Sequence, residues 1–377
     1  MILNKEQQLI RDMARRLAED EIKPVAAEID KTHQFPLGTV GRMAELGLFG
    51  LTVPEKYEGS GGDYVSYALV MEELSRVSAT HGAILAAHNS LCEGTLLHAA
   101  TEEQKAVYLP DLASGRKLGG FCLTEAGAGS DAAAQTTEAV LKGDKYILNG
   151  SKTFITNGEY AEVFIVIAMT DKSKGLKGTA AFIVEKGYPG FQVGQKEDKM
   201  GICASSTTEI IFKDCEVPRG NLLGKEGEGF KIAMITLDTG RIGVAAQAVG
   251  IAQGALDAAV EYARERKQFG KPISANQGIQ WMLADMAVRT EAARALTLKV
   301  CEYKQAGKRI SKESAMAKLY ASEAAMWVAT KAVQIHGGIG YTKSYPVERF
   351  MRDAKITEIY EGTSEVQRMI IAANLLS

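Results

Sequence analysis

Glu361 stands between Tyr360 and Gly362 in the stretch IYEGTSEVQR, Ile359 to Arg368, near the end of a 377-residue chain. A carboxylate beside an aromatic ring can act as a proton-abstracting base if it is sheltered from water; in open solvent it is a surface charge. Ser364 and Gln367 fit a capping box opening a last helix, which puts Glu361 just before a helix N-terminus, where partial positive charge favours an anion.

Four other stretches have residue types suited to chemistry. In GFCLTEAGAGSD, Gly120, Gly127 and Gly129 with Thr124 and Ser130 could form a nest of backbone N–H groups for a phosphate. The stretch is not expected to follow a strand and open a helix of a βαβ unit, so a Rossmann reading fails, and an ordinary turn stays open. In KTFITNG, Phe154 and Thr156 alternate onto one strand face, a ring to stack on a flat heterocycle and a hydroxyl for its edge. A hairpin strand with Asn157-Gly158 as its turn fits equally.

In ARERKQFGKPISANQ, Arg264, Arg266 and Lys267 suit a pyrophosphate, or only the negative end of a helix dipole. In QIHGGIGYT, Gly337 suits a left-handed C-cap, with His336 a capping or packing residue. Asp238 and Arg241, three apart, suit an intrahelical pair.

The elements that must position these residues fall into three blocks. Up to about Lys117 the apolar spacing is helical, with Leu9, Met13, Leu17 and Ile22 as its first turns and Asn4 with Gln7 as a capping box. From Gly119 the pattern changes to short alternating runs such as EVFIVIAMT and AAFIVEK, which predict a small antiparallel β domain, a barrel or sandwich. From Phe230 onward, Ala-rich periodic runs predict a helical bundle. One helix of about 35 residues would run about 50 Å, leaving a face to pack on another subunit. The expected fold is α+β and multidomain: 1–118 helical, 119–225 β, 226–377 helical bundle.

Composition narrows the partners. With 44 Lys+Arg against 46 Asp+Glu the net charge is -2, which gives no reason to expect nucleic acid or an anionic membrane. The five cysteines are scattered singly and the five histidines do not fall at metal-ligand spacing. No apolar run reaches the ~20 residues of a membrane span, and the N-terminus lacks a signal peptide's apolar run, so a soluble cytoplasmic protein is expected.

Taken in order, CLTEAGAGSD, FITNG, RKQFGKPI, QIHGGIGY, YPVERFMRDAKI and YEGTSEVQR resemble the acyl-CoA dehydrogenases over nearly the whole chain. The resemblance implies non-covalent FAD between the β domain and the C-terminal bundle. Phe121, Leu123, Thr124, Gly129 and Ser130 would meet the flavin and its pyrophosphate, with Ser130 also near substrate. Phe154, where many relatives have Trp, would lie on the isoalloxazine, with Ile155 beside it and Thr156 at the N5 edge. Arg266, Phe269 and Gln277 would reach the FAD of a neighbouring subunit, with Gln334, Ile335, His336, Gly337 and Gly338, and Thr363, Ser364 and Glu365, closing around that cofactor.

The resemblance further implies a homotetramer built as a dimer of dimers. Asp238 and Arg241 would lie beside the acyl-CoA, with Tyr360 and Gly362 flanking its thioester. Glu361 matches the catalytic base; some relatives place the base on a helix just before the arginine matching Arg241, and here that position is Gly240. Similarity to short-chain members implies a C4 or neighbouring straight-chain thioester, and an electron-transferring flavoprotein as acceptor. AHNSLCEG lacks the arginine expected for a dicarboxylate. A branched- or medium-chain enzyme, and a non-catalytic flavin or CoA binder, remain alternatives.

Overall fold

The computed structural model describes residues 2–376. The N-terminal block contains α1 (Lys5–Leu17), α2 (Lys23–Thr32), α3 (Leu37–Glu45), α4 (Tyr64–Val77), α5 (Ala79–Ala86), α6 (Gly94–Ala99) and α7 (Glu102–Ala113). Asn4 and Gln7 form the expected capping box, with bonds of 2.8 and 3.0 Å. Between α5 and α6 the chain widens into a π-helical turn, Ala87–Glu93. Such wide turns often occur beside functional sites, and this one brings Ser90 and Leu91 towards the centre of the molecule.

The middle block contains β1 (Leu118–Cys122), β2 (Glu138–Lys142), β3 (Lys145–Thr156), β4 (Ala161–Met169), β5 (Thr179–Glu185), β6 (Phe191–Lys196), β7 (Thr207–Pro218) and β8 (Leu222–Leu223). They form one sheet in the order β6-β7-β3-β2-β4-β5-β8, with β1 also on β4. The expected antiparallel pattern needs correction, because β1 and β2 each pair with β4 in parallel. Along β4, Phe164, Val166 and Ala168 join one core while Val163, Ile165 and Ile167 join a second, beside Leu109 and Leu112 of α7. Burial on both faces explains why this strand is apolar without alternation.

Asn157-Gly158 is not a hairpin turn, since β3 and β4 are not partners. Asn157 takes a left-handed φ of 64° and its Nδ2 donates to the carbonyls of Ile84 (3.1 Å) and Gly119 (3.2 Å). The turn thus pins β1 against α5. GFCLTEAGAGSD therefore begins inside a strand, contrary to expectation, yet it leads to β2 without opening an α-helix.

The C-terminal block is α8 (Gly229–Glu265), a hairpin of β9 (Lys267–Gln268) and β10 (Lys271–Pro272), then α9 (Gln277–Gln305), α10 (Ser311–His336), α11 (Val347–Thr357) and α12 (Ser364–Leu376). By length and composition α8, with 37 residues, could cross a bilayer, which the sequence reading did not anticipate, but 83% of its apolar window is buried inside the protein. Its small residues allow this: a Cβ at Gly250 or Gly254 would strike the α4 carbonyls of Glu72 and Arg76. The cap of α12 is Thr363 rather than Ser364, its Oγ1 accepting from the Val366 N–H at 3.3 Å. Gly337 ends α10 at φ 65°, ψ -143°, outside the left-handed helical region and accessible essentially to glycine alone.

Candidate active site

Glu361 has a left-handed φ of 53° and is followed by Gly362 at 94°. The turn is clamped through its carbonyls: Gln367 Nε2 donates to Glu361 O (3.2 Å) and Gly362 O (2.8 Å), and Lys318 Nζ donates to Gly362 O (2.8 Å). This sharp reversal turns the side chain back against α8, and Glu361 Oε2 is shielded from solvent with no hydrogen-bond partner. Burial pushes its pKa up to about 7, against the opposing charges of Arg241 and Lys318. A buried carboxylate that titrates near neutrality and keeps a free oxygen has the properties of a general base.

The facing wall is α8. A Cβ on Gly240 would collide with Glu361 Oε2 and lie 2.7 Å from Leu91 Cδ2, so glycine leaves the space the carboxylate occupies. Arg241 donates to Asp238 Oδ1 at 2.7 Å, and Asp238 also accepts from Ser311 Oγ. The Asp238–Arg241 pair is thus part of the pocket wall, with Arg241 buried. One turn beyond Gly240, a Cβ on Gly243 would lie 2.6 Å from the Tyr67 hydroxyl and 3.5 Å from Ser90 Oγ. Tyr360 points inward, its hydroxyl donating to Gln247 Oε1 while Gln247 Nε2 donates to Ala79 O at 2.8 Å.

The glycine-rich loop lies on the other side of the π turn. Gly119 of β1 packs so closely on Cys92 that a Cβ would meet its Sγ at 2.5 Å. The side chains of Phe121, Leu123 and Ile155 are buried in the cores, which leaves only their backbones for a ligand. Thr124 is half-buried, Gly129 and Ser130 are exposed, and no heavy atom lies within 4 Å of a Cβ built on Gly127 or Gly129.

Thr153 N donates to Thr124 O at 2.8 Å, joining the loop to the strand end that carries Phe154. Simple alternation does not describe that end. The β3–β7 register slips between Lys152 and Ile155, and Phe154 has φ 59°. Phe154 nevertheless projects outward, 62% exposed, and Thr156 is half-buried.

Sequence reasoning missed the pair that holds this loop. Lys152, fully buried, donates from Nζ to Glu125 Oε1 (2.8 Å), Leu123 O (3.0 Å) and Gln135 Oε1 (3.2 Å). Glu125 also accepts from Thr136 N, Thr136 Oγ1 and Thr137 N at 2.6, 2.8 and 3.0 Å. Burial opposes the Glu125 charge, but Lys152 and these donors bring its pKa down to about 2. A lysine inside an alternating strand and a glutamate inside a glycine run were the only signal in the sequence.

The remaining expected residues lie elsewhere in the chain. Arg266 caps α8, and its 25-residue separation from Arg241 is about 37 Å at the helical rise. Phe269 is 98% exposed at the tip of the β9–β10 hairpin, and Gln277, also exposed, begins α9. His336 stacks on Tyr262 at 4.2 Å, so the Gln334–Gly338 segment belongs to this distal end, with Ile335 and His336 buried and Gln334, Gly337 and Gly338 exposed. Thr363, Ser364 and Glu365 stay beside Glu361, and Ser364 Oγ is buried without a partner.

Exposed glycine backbone with open space in front of it, and an outward aromatic ring, fit a ligand that combines phosphates with a flat ring system.

Three family descriptions divide the chain: acyl-CoA dehydrogenase N-terminal domain over 4–116, middle domain over 120–215 and C-terminal domain over 227–376. The short-chain specific acyl-CoA dehydrogenase of Clostridium acetobutylicum is 56% identical over 373 residues, 99% of this chain and 98% of the relative. Butyryl-CoA dehydrogenase from Megasphaera elsdenii superposes with a TM-score of 0.99 at 50% identity, over 100% of both chains. A chain in a structure concerned with the electron transferring flavoprotein of Acidaminococcus fermentans, and with flavin-based electron bifurcation, gives 0.99 at 56% identity, over 100% of this chain and 99% of that one.

Proposed function

Since the chain belongs to the acyl-CoA dehydrogenase family, we propose that it dehydrogenates a short-chain acyl-CoA, butyryl-CoA or a near neighbour, to the trans-2-enoyl-CoA. The observation that carries this reading is the shielded, unpartnered Oε2 of Glu361 facing Gly240. A thioester α-C–H is a weak acid, and a shielded carboxylate with its pKa raised to about 7 is partly ionised at neutral pH and a stronger proton acceptor than an ordinary one. Glu361 takes the α proton on Oε2, and its backbone N–H faces the developing charge on the thioester oxygen.

Family membership brings FAD dependence, and FAD held non-covalently would supply the acceptor for the β hydride. Thr124, Gly129 and Ser130, with the backbones of Phe121, Leu123 and Ile155, would hold it beside Phe154 and Thr156. Asp238 and Arg241 line the acyl-CoA side, and Tyr360 and Gly362 flank the thioester. The short-chain specific Clostridium relative and the Megasphaera butyryl-CoA dehydrogenase support a short acyl chain. The Acidaminococcus neighbour supports an electron-transferring flavoprotein as acceptor.

Arg266 at the end of α8 and Phe269 on the hairpin beyond it lie too far from the Glu361 site of their own chain to serve it, which supports a site shared between copies and, with the resemblance, a homotetramer. Anaerobic titration with butyryl-, isovaleryl- and octanoyl-CoA, followed by flavin absorbance, tests the proposal. Bleaching should be fastest with butyryl-CoA. A clear preference for octanoyl-CoA, or no bleaching by any of the three, would contradict it.

A further inference from the structure

Lys318 is a charged side chain that the reaction as described does not use, yet it has no solvent exposure at all. It projects from the first turns of α10, and its one hydrogen bond goes to Gly362 O at 2.8 Å. Burying an ammonium is costly, and one neutral carbonyl does not compensate it. The compensation is electrostatic, from carboxylates nearby.

We propose that Lys318 is a positioning residue for the base: its ammonium clamps the Glu361–Gly362 turn and adds to that of Arg241 a positive charge that favours the ionised Glu361 carboxylate. The inference rests on the assignment of Glu361 as base. Geometry gives Lys318 this role in preference to Arg241. Arg241 is the larger opposing charge but is committed to Asp238 at 2.7 Å, whereas Lys318 has no acid within ion-pair distance among the described residues and binds the peptide next to the base.

The groups facing Glu361 come from four places. They are Arg241 on α8, Lys318 on α10, Tyr67 on α4 and Tyr360 on the turn; Asp238 pairs with Arg241, and Glu358 and Glu365 act on Lys318. Of these only Lys318 and Arg241 favour the charged base, and Lys318 also holds the turn, beside the neutral Gln367 amide. Burial brings Lys318 itself down to about 8, so it remains charged at the pH where Glu361 titrates.

The test is the pH dependence of anaerobic flavin reduction by butyryl-CoA in the FAD-loaded Lys318→Met and Lys318→Gln enzymes. The base works ionised, so the rate rises with pH through its pKa. Removing the charge should move the midpoint upward by about one unit in both variants, slowing reduction about tenfold below pH 7. Lys318→Gln, which can still donate to Gly362 O, should recover fully above pH 9; Lys318→Met should recover only in part.

Midpoints unchanged from wild type would overturn the proposal while leaving the base assignment intact. If Glu361 were not the base, the acid limb would persist in Glu361→Gln. Loss of FAD or of folding in both lysine variants would make Lys318 a structural residue and would also overturn it.

Discussion

Desolvation of Glu361 has a consequence for stability that is opposite to its benefit for catalysis. The folded pKa of about 7 lies above the ordinary 4.5, so the folded protein holds this proton more tightly than the unfolded chain. Its contribution is therefore fully present below pH 4.5 and is lost as pH rises through 7. Glu361→Gln removes that loss. Without substrate, the variant should be more stable than wild type at pH 8 by on the order of 2 kcal/mol, allowing for partial exposure, with the two unfolding curves converging towards pH 4.5. Gly240→Ala places a methyl where Oε2 and Leu91 already stand. Displacing the carboxylate by about 1 Å should slow flavin reduction roughly 100-fold while FAD stays bound, as read by stopped-flow absorbance.

The glycine-rich loop depends on two residues 27 apart in sequence, Glu125 and Lys152. Lys152→Met leaves a buried carboxylate with three remaining donors, and should cost roughly 2–4 kcal/mol in denaturant unfolding. Adding Glu125→Gln should recover part of that cost. This pair was not legible in the sequence, because nothing local to a strand or a loop announces a partner so far away. The parallel pairing of β1 with β4 was hidden for the same reason, and Asn157 resembled a hairpin residue while anchoring two other elements. Helix and strand order, the Asn4–Gln7 cap and the long α8 were legible because period and capping are local. The cap of α12 was displaced by one residue because Thr363 and Ser364 are both good caps.

In the C-terminal block, the residues singled out in the sequence separate into a Glu361 group and a distal group from Arg266 onward, about 37 Å apart along α8 by the helical rise. The spacing along one long helix already implied this distance; sequence order did not show that the Gln334–Gly338 segment joins the distal end, where His336 stacks on Tyr262. The separation predicts a site shared between copies. Phe269→Ser should lower FAD per chain and shift sedimentation towards smaller species, whereas unchanged mass and FAD content would place the distal group outside the site. Assembly alone does not make a dehydrogenase, and the account stands or falls on Glu361. The most direct measurement is anaerobic mixing of Glu361→Gln with butyryl-CoA, followed at the flavin absorbance band. The account predicts FAD and acyl-CoA binding as in wild type, with bleaching slower by several orders of magnitude; bleaching at near wild-type rate would contradict it.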